Sequence, residues 1–218
     1  YSRPPFAKWF VGGETNLCHN AVDRHLADRG EQRALVWIST EVDRTQSYTY
    51  RQLHREVQRT AAMMQSLGVG RGDRVIIYMP NMPEAVFAIL ACARLGAVHS
   101  VVFGGFAAAS LAARIDDARP KLMITADGGS RMGKPILYKP LVDESIRLTK
   151  SPPRHVLVFG RGIDPAMPMT KGRDVEWEQL AAKFEAAEVP CVWLESSEPS
   201  YILYTSGTTG KPKGVQRD

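Results

Sequence analysis

Cysteine is scarce in this sequence. The 218 residues contain three cysteines, Cys18, Cys92 and Cys191, and these lie far apart in the chain. Three widely spaced cysteines exclude a disulfide scaffold, and their spacing matches neither a zinc knuckle nor a CxxC redox motif. We therefore expect a reducing compartment, either the cytoplasm or, in a eukaryotic source, the mitochondrial matrix.

Long hydrophobic runs and blocks of like charge are also missing. The most apolar stretch, Ala85 to Ala93, has nine residues, and a membrane span needs about twice that length. The first residues, Tyr1 to Pro5, lack the apolar core of a secretory signal. The 28 Lys and Arg exceed the 23 Asp and Glu by five, but the positive charges are scattered. We therefore expect a soluble protein without a membrane or nucleic-acid partner, whereas small anionic ligands fit its charge.

The residues that are present form an ordinary globular composition, with 44% hydrophobic and 23% charged residues. Short β-branched runs alternate with amphipathic stretches, and this alternation predicts an α/β fold with a mostly parallel sheet flanked by helices. We predict strands at 74–79, 97–103, 121–126, 155–159 and 201–204, and helices at 50–67, 82–95, 107–118, 137–148 and 175–184. No shift in composition marks a domain boundary, so the polar stretches 160–173 and 188–200 are predicted to be surface connections.

Three polar residues are predicted to begin helices. Thr49 and Gln52 have the spacing of a capping box. Asn81, with Pro83 in the first turn, and Asp174 are predicted N-caps of the later helices. Glycines Gly68 and Gly96 are predicted to end two helices.

A dense Gly-rich segment follows the last predicted strand. It combines hydroxyls, glycines and lysines in the run Thr205, Ser206, Gly207, Thr208, Thr209, Gly210, Lys211, Pro212, Lys213 and Gly214. Glycines let backbone N–H groups approach a phosphate, hydroxyls donate hydrogen bonds, and lysines supply positive charge. The segment is not a Walker A loop, because Thr205 stands at the first glycine position and Pro212 follows Lys211. These residues predict a phosphate-binding loop, and a solvated surface turn is the alternative.

This segment resembles the signature phosphate loop of the adenylate-forming enzymes, in which it closes over the β- and γ-phosphates of ATP. Three further stretches, 9–25, 101–106 and 124–134, resemble the short-chain acyl-CoA synthetase branch of that family. The resemblance covers essentially the whole chain. It divides the sequence into a family-specific segment at 1–30 and an α/β subdomain at 31–218 that ends at the phosphate loop.

A second glycine loop leaves the predicted strand at 121–126. The residues Arg131, Met132, Gly133 and Lys134 place two cations three positions apart, which suits the phosphates of a nucleotide. On spacing alone, a solvated basic turn is the simpler interpretation. The family resemblance implies instead that this loop contacts the nucleotide end of coenzyme A. The family often has Arg where this chain has Lys134, and Lys cannot make bidentate contacts.

The resemblance implies a two-step reaction with ATP, Mg²⁺ and coenzyme A. A short carboxylate attacks the ATP α-phosphorus to give an acyl-adenylate and pyrophosphate, and the coenzyme A thiol then takes the acyl group. Gln216 to Asp218 look more like the propionate-activating than the acetate-activating members of the family, and this resemblance implies propionate as the carboxylate. The alternatives are an acetate-activating enzyme, a different ATP-binding enzyme such as a kinase, and a non-catalytic nucleotide-binding module.

The resemblance also implies what this chain does not carry. In the family the acyl pocket, the magnesium-holding glutamate, the ribose-binding aspartate and the catalytic lysine lie downstream of the phosphate loop, so no catalytic or metal-ligating residue is assigned here. We therefore expect an N-terminal part of the large adenylate-forming domain that is inactive by itself. Its oligomeric state stays open. His99, Cys92 and Trp177 are interpreted as packing residues rather than site residues. Asp23 and His25 are predicted to be neighbours on a helix that do not share a face, so we do not expect a catalytic pair there.

Overall fold

The computed structural model describes residues 10–205 and 212–218, and a seven-stranded sheet lies at its centre. The strands are β1 (Glu14–Thr15), β2 (Arg33–Ser39), β3 (Arg44–Thr49), β4 (Arg74–Tyr78), β5 (Val98–Val101), β6 (Leu122–Ala126), β7 (Gly128–Arg131), β8 (Lys134–Leu137), β9 (His155–Phe159), β10 (Asp174–Glu176), β11 (Leu194–Glu195), β12 (Tyr201–Thr205) and β13 (Lys213–Arg217). The α-helices are α1 (Leu17–Ala21), α2 (Leu26–Arg29), α3 (Tyr50–Ser66), α4 (Pro83–Leu95), α5 (Ala108–Ala118), α6 (Tyr138–Leu148) and α7 (Trp177–Ala181). Short 3-10 helices lie at Asp23–His25 and Ala182–Phe184.

The sheet confirms the predicted α/β fold. Its strand order is β10-β9-β6-β4-β5-β12-β13, and every neighbouring pair is parallel except the last. The antiparallel pair is β12–β13, in which Tyr204 lies opposite Gly214 and Thr205 opposite Lys213. Strand β5 pairs with one side of β4, and the chain then crosses over so that β6 pairs with the other side of β4. Such a crossing point is where open α/β sheets form a crevice for ligands.

Both faces of the sheet are buried, and the strands alternate between two cores. Val75 and Ile77 of β4 pack into one core, which also contains residues of α3, α4 and α7. Ile76 and Tyr78 point to the opposite face and pack with residues of α5 and α6. A strand that is covered on both sides is apolar at every position, and this explains the continuous hydrophobic runs in the sequence.

The strongest local signals are confirmed. The Thr49 hydroxyl accepts a hydrogen bond from the Gln52 backbone N–H at 3.2 Å, and the Gln52 side chain accepts one from the Thr49 N–H at 2.8 Å. Gly96 ends α4 in the left-handed conformation, with φ of +67°. Gly68 follows α3 with φ of +86°.

The predicted cap at Asn81 is wrong by one residue. The N-cap of α4 is Met82, and no side chain caps this helix. Pro83 occupies the first helical position, so the residue directly before it becomes the cap. Asn81 has another role, because its carbonyl accepts a hydrogen bond from the Trp37 indole at 2.8 Å.

The predicted cap at Asp174 is also wrong. Asp174 is the first residue of β10, and helix α7 begins only at Trp177. The Asp174 carboxylate is fully buried and pairs with the equally buried Lys139 ammonium at 2.9 Å and with Arg173 at 2.6 Å. A buried lysine needs a counter-charge, and Asp174 supplies it from inside the sheet together with Asp143, which lies 2.7 Å from the Lys139 ammonium.

Two further features differ from the prediction. No strand is predicted before Thr49, yet β2 and β3 form an antiparallel hairpin there. The stretch 188–200 is not a simple surface connection, because Val189 is buried in the core and β11 pairs with β1. Among the described residues, no helix has the length and apolar character needed to cross a bilayer.

Candidate functional site

The carboxyl ends of β4, β5, β6, β9 and β12 meet at one edge of the sheet, because these strands are parallel. Parallel α/β sheets place their ligand sites at this edge. Both glycine loops singled out in the sequence start there, one after β6 and one after β12. The sheet therefore gives the two predicted loops a common location.

The predicted phosphate loop is the connection between β12 and β13. Residues 206–211, which include Ser206, Gly207, Thr208, Thr209, Gly210 and Lys211, lie outside the described residues. The two ends of the loop are described: Thr205 ends β12 and lies opposite Lys213, the first residue of β13. Thr205 and Lys213 are exposed, whereas Pro212 is half-buried. This pairing brings a hydroxyl and an ammonium group to the same edge.

The strand that leads into this loop is held by α5. The Arg114 guanidinium lies over the Phe106 ring at 4.2 Å and the Tyr204 ring at 5.3 Å, so it is stacked with both aromatic rings. The Tyr204 hydroxyl donates a hydrogen bond to the Asp117 carboxylate at 2.8 Å. Burial, and then the Asp117 charge, raise the pKa of Tyr204. Tyr204 therefore stays protonated and fixes the base of the loop.

The second loop is a tight β-hairpin. Strands β7 and β8 are antiparallel, with Arg131 directly opposite Lys134. The two turn residues, Met132 and Gly133, have φ of +53° and +76°, as a type I′ turn requires. Arg131 and Lys134 are exposed, and directly opposed residues share one face of a hairpin. The hairpin thus presents two adjacent cations to solvent, and the Met132 side chain between them is almost fully exposed.

Asp127 anchors the start of the hairpin. This buried carboxylate accepts hydrogen bonds from the backbone N–H groups of Gly128 at 2.6 Å, Ile163 at 2.8 Å and Asp164 at 3.2 Å. It therefore ties the hairpin to the loop that follows β9. Asp127 lies within the stretch 124–134 that resembles the family, and its position directly after a buried strand is the signal in the sequence that points to such a role.

Arg161 and Glu41 support the hairpin from its flank. The Arg161 guanidinium donates to the Gly128 carbonyl at 3.0 Å and pairs with the Glu41 carboxylate at 2.5 Å. Glu41 also accepts a hydrogen bond from the Ser130 backbone N–H. Sequence reasoning missed both residues, because they are far from the hairpin in the chain and belong to no local motif.

The turn after β5 packs against two tyrosines. The Tyr78 hydroxyl donates to the carbonyls of Gly104 and Phe106 at 3.2 and 3.0 Å. A Cβ atom on Gly104 would lie 2.1 Å from the Tyr138 hydroxyl, so only glycine fits here. Burial raises the pKa of Tyr78 to about 12. The tyrosines are neutral and rigid groups that shape this edge of the sheet.

The two glycine loops lie at the same edge of the sheet, but the strands that lead into them are not adjacent. In the order β6-β4-β5-β12, three strand spacings separate the hairpin from the phosphate loop. With about 4.8 Å per spacing, the bases of the loops lie ~14 Å apart. Each loop can therefore hold a separate group of phosphates.

The three residues interpreted as packing residues, His99, Cys92 and Trp177, all pack against other side chains. The His99 ring packs on the Tyr201 ring with centroids 5.8 Å apart, and Cys92 and Trp177 are buried in the core. Asp23 and His25 do not pair with each other. Asp23 pairs instead with Arg94 at 2.8 Å and with His54 at 3.4 Å, and this ion-pair cluster was missed by the sequence analysis. It lies near the amino ends of the strands, away from the loops.

The fold and loops describe an α/β protein with two candidate phosphate-binding loops at the carboxyl edge of its sheet. The chain matches the model of a known family, "AMP-binding enzyme", over residues 22–218. The chain belongs to this family, as the phosphate-loop resemblance predicts.

Comparison with curated proteins gives close relatives. The chain is 56% identical over 218 residues to "Propionate--CoA ligase" of Escherichia coli (strain K12), which covers 100% of this chain and 35% of the relative. It is 47% identical over 215 residues to "Acetyl-coenzyme A synthetase" of Streptomyces avermitilis, with 99% of this chain and 32% of the relative covered. It is 43% identical over 215 residues to "Acyl-CoA synthetase short-chain family member 3, mitochondrial" of Mus musculus, with 98% of this chain and 31% of the relative covered. The chain spans about a third of the length of these relatives.

Proposed function

We propose that the full-length protein carrying this chain is an ATP-dependent short-chain acyl-CoA synthetase. It activates propionate as an acyl-adenylate and transfers the acyl group to coenzyme A. The observation that carries the proposal is the 56% identity to a propionate–CoA ligase, in an alignment that spans the whole chain. Acetate is the second candidate substrate, supported by the 47% identity to an acetyl-CoA synthetase.

In this proposal the two loops hold different substrates. Thr205 and Lys213, with residues 206–211 between them, bind the ATP phosphates through hydroxyl, backbone N–H and ammonium groups. Arg131 and Lys134 bind the nucleotide phosphates of coenzyme A, with Met132 and Gly133 forming the turn between them. The paired, exposed cations at 131 and 134 support this assignment.

Catalysis by such an enzyme rests on positioning and charge stabilisation rather than on covalent chemistry by the protein. Mg²⁺ accompanies ATP, and the proposal assigns it to no residue of this chain. The acyl pocket and the catalytic groups belong to the rest of the full-length protein. We further propose a cytoplasmic location, or the mitochondrial matrix in a eukaryotic source, and no nucleic-acid or membrane partner.

Carboxylate-dependent exchange of pyrophosphate into ATP tests the proposal in the full-length protein. We expect exchange with propionate, at a higher kcat/KM than with acetate, and formation of propionyl-CoA and AMP when coenzyme A is added. A higher kcat/KM with acetate would support the second candidate instead. ATP hydrolysis without exchange would indicate a different ATP-using enzyme, and binding of ATP without any turnover would indicate a non-catalytic module.

A further inference from the structure

Two of the three cysteines lie side by side around a buried ion pair. The Arg94 guanidinium, which is almost fully buried, holds the Asp23 carboxylate with hydrogen bonds of 2.8 and 2.9 Å. The Cys18 and Cys191 thiols lie 3.8 and 3.9 Å from the two oxygens of that carboxylate. The two sulfurs and a carboxylate oxygen are all within 4.8 Å of one another. Residues 173 positions apart in the chain are thus brought together at one point.

The backbone fixes this arrangement. β1 and β11 pair antiparallel, with Glu14 opposite Glu195 and Thr15 opposite Leu194. Each cysteine lies three residues outside this pair, with Cys18 in the first turn of α1 after β1 and Cys191 before β11. The buried Asn16 amide joins the two segments further, because it donates to the carbonyls of Ala93 and Val192 at 2.7 Å each. The two thiols are therefore neighbours because of the fold, not by a chance orientation of side chains.

The two thiols differ in exposure. Cys18 is completely buried, whereas Cys191 is half-buried and can be reached from solvent. The Arg94 guanidinium lies 3.4 Å from the Cys18 sulfur, so positive charge is adjacent to the pair. A cation next to a thiol stabilises its thiolate, which is the reactive form.

The two thiols also differ in acidity. The neighbouring Cys18 thiol lowers the pKa of Cys191, and the charge of Arg94 acts in the same direction. The neighbouring Cys191 thiol raises the pKa of Cys18, and burial raises it further. The more exposed Cys191 therefore forms a thiolate more readily than Cys18.

We propose that Cys191 and Cys18 form a reversible, peroxide-sensitive dithiol site. The Cys191 thiolate attacks one oxygen of hydrogen peroxide and breaks the O–O bond, which leaves Cys191 as a sulfenic acid and releases hydroxide that is protonated to water. The Cys18 sulfur then attacks the Cys191 sulfur, and the sulfenic hydroxyl leaves with the Cys18 proton as a second water. Two thiols are oxidised to one disulfide and one peroxide is reduced to two waters. A small-molecule thiol reverses the reaction by exchange.

A metal ion is the competing occupant of this cluster. Cys18, Asp23 and Cys191 could supply three ligands to a zinc ion. Arg94 argues against a metal, because its guanidinium already holds Asp23 at 2.8 Å and lies against the Cys18 sulfur. A divalent cation at this point would be repelled by the buried positive charge.

Peptide mapping of the full-length protein tests the proposal directly. The protein is treated with hydrogen peroxide, its remaining thiols are alkylated, and a non-reducing digest is analysed by mass spectrometry. We expect the peptides that carry Cys18 and Cys191 to be joined, with the loss of two hydrogens, and to separate after treatment with a reducing thiol. The matched control is Cys92→Ser, because Cys92 is fully buried in α4, and this variant should form the same link.

Single variants test the order of the two steps. In Cys18→Ser the sulfenic acid at Cys191 cannot be resolved, so a 1,3-dione probe should label Cys191. In Cys191→Ser the buried Cys18 should be labelled at least about tenfold more slowly, because it is shielded from solvent and burial raises its pKa.

Several results would overturn the proposal. One is the absence of the joined peptides in the wild-type protein, a measurement that needs no variant. Another is labelling of Cys18 in Cys191→Ser as fast as that of Cys191 in Cys18→Ser, with both variants folded by circular dichroism. A third is one zinc ion bound per chain, measured by elemental mass spectrometry after loading with zinc chloride, that prevents oxidation.

Discussion

At the residue scale, His99 is a half-buried base next to the start of β12. Its backbone N–H donates to the Ser200 carbonyl at 3.3 Å, and its ring packs on Tyr201. Its Nδ1 atom is buried and has no hydrogen-bond partner among the described residues. Burial lowers the pKa of His99 from 6.5 to about 4. The folded protein therefore favours the neutral form of the His99 ring.

We expect His99 to make stability depend on pH. The unfolded chain binds a proton at His99 below pH 6.5, whereas the folded protein does so only below about 4. The free energy of unfolding should therefore fall as the pH falls from 6.5 to 4, by ~3 kcal/mol at most. Replacing His99 with Gln should remove this part of the slope, as measured by urea unfolding at a series of pH values. His25→Gln is the control, and parallel curves for wild type and His99→Gln would contradict the prediction.

Buried carboxylates show where residue-level prediction from sequence reaches its limit. Asp23 pairs with Arg94, 71 positions away, and Asp127 accepts a hydrogen bond from Ile163, 36 positions away. Asp174 looks like a helix cap in the sequence but pairs with buried Lys139. Capping rules describe neighbours within four residues, whereas these charges are satisfied by partners that only the folded chain brings close.

At the element scale, local signals placed most helices and strands correctly. The capping box at Thr49, the proline at 83 and the glycine at 96 act within one turn of helix, so the sequence contains them completely. The β2–β3 hairpin was missed because its strands are weakly patterned. Two apolar residues of β2, Val36 and Ile38, are 50% and 71% exposed, so apolar and polar residue types do not alternate along the strand although its burial does.

The capping box makes a prediction for helix α3. Thr49→Ala removes the acceptor of the Gln52 N–H and should destabilise the protein by about 1 kcal/mol. Urea unfolding measures the loss, and faster hydrogen exchange at the Gln52 amide should localise it. Thr45→Ala makes the same chemical change at an exposed position of β3 and should cost far less. Equal losses in the two variants would show that the cap contributes nothing specific.

At the scale of the whole molecule, the sheet explains why two loops can serve one proposed reaction. The loops themselves could be found in the sequence, because each is a continuous run of glycines, hydroxyls and cations. Their supports could not, because Arg161 and Glu41 are 120 positions apart and meet only beside the hairpin. The distance between the loops also came from the strand order, which places β4 and β5 between them.

This separation predicts that the loops act independently in the proposed enzyme. Lys213→Ala should reduce propionate-dependent pyrophosphate exchange by about tenfold or more, since it removes a charge beside the ATP phosphates. Arg131→Ala should leave exchange unchanged but raise the KM for coenzyme A by a similar factor. In the double variant each loss should appear unaltered in its own half-reaction, because sites more than about 10 Å apart add within ~0.5 kcal/mol. If Arg131→Ala instead deepens the exchange defect of Lys213→Ala beyond that margin, the two loops share a ligand and the assignment of separate substrates fails.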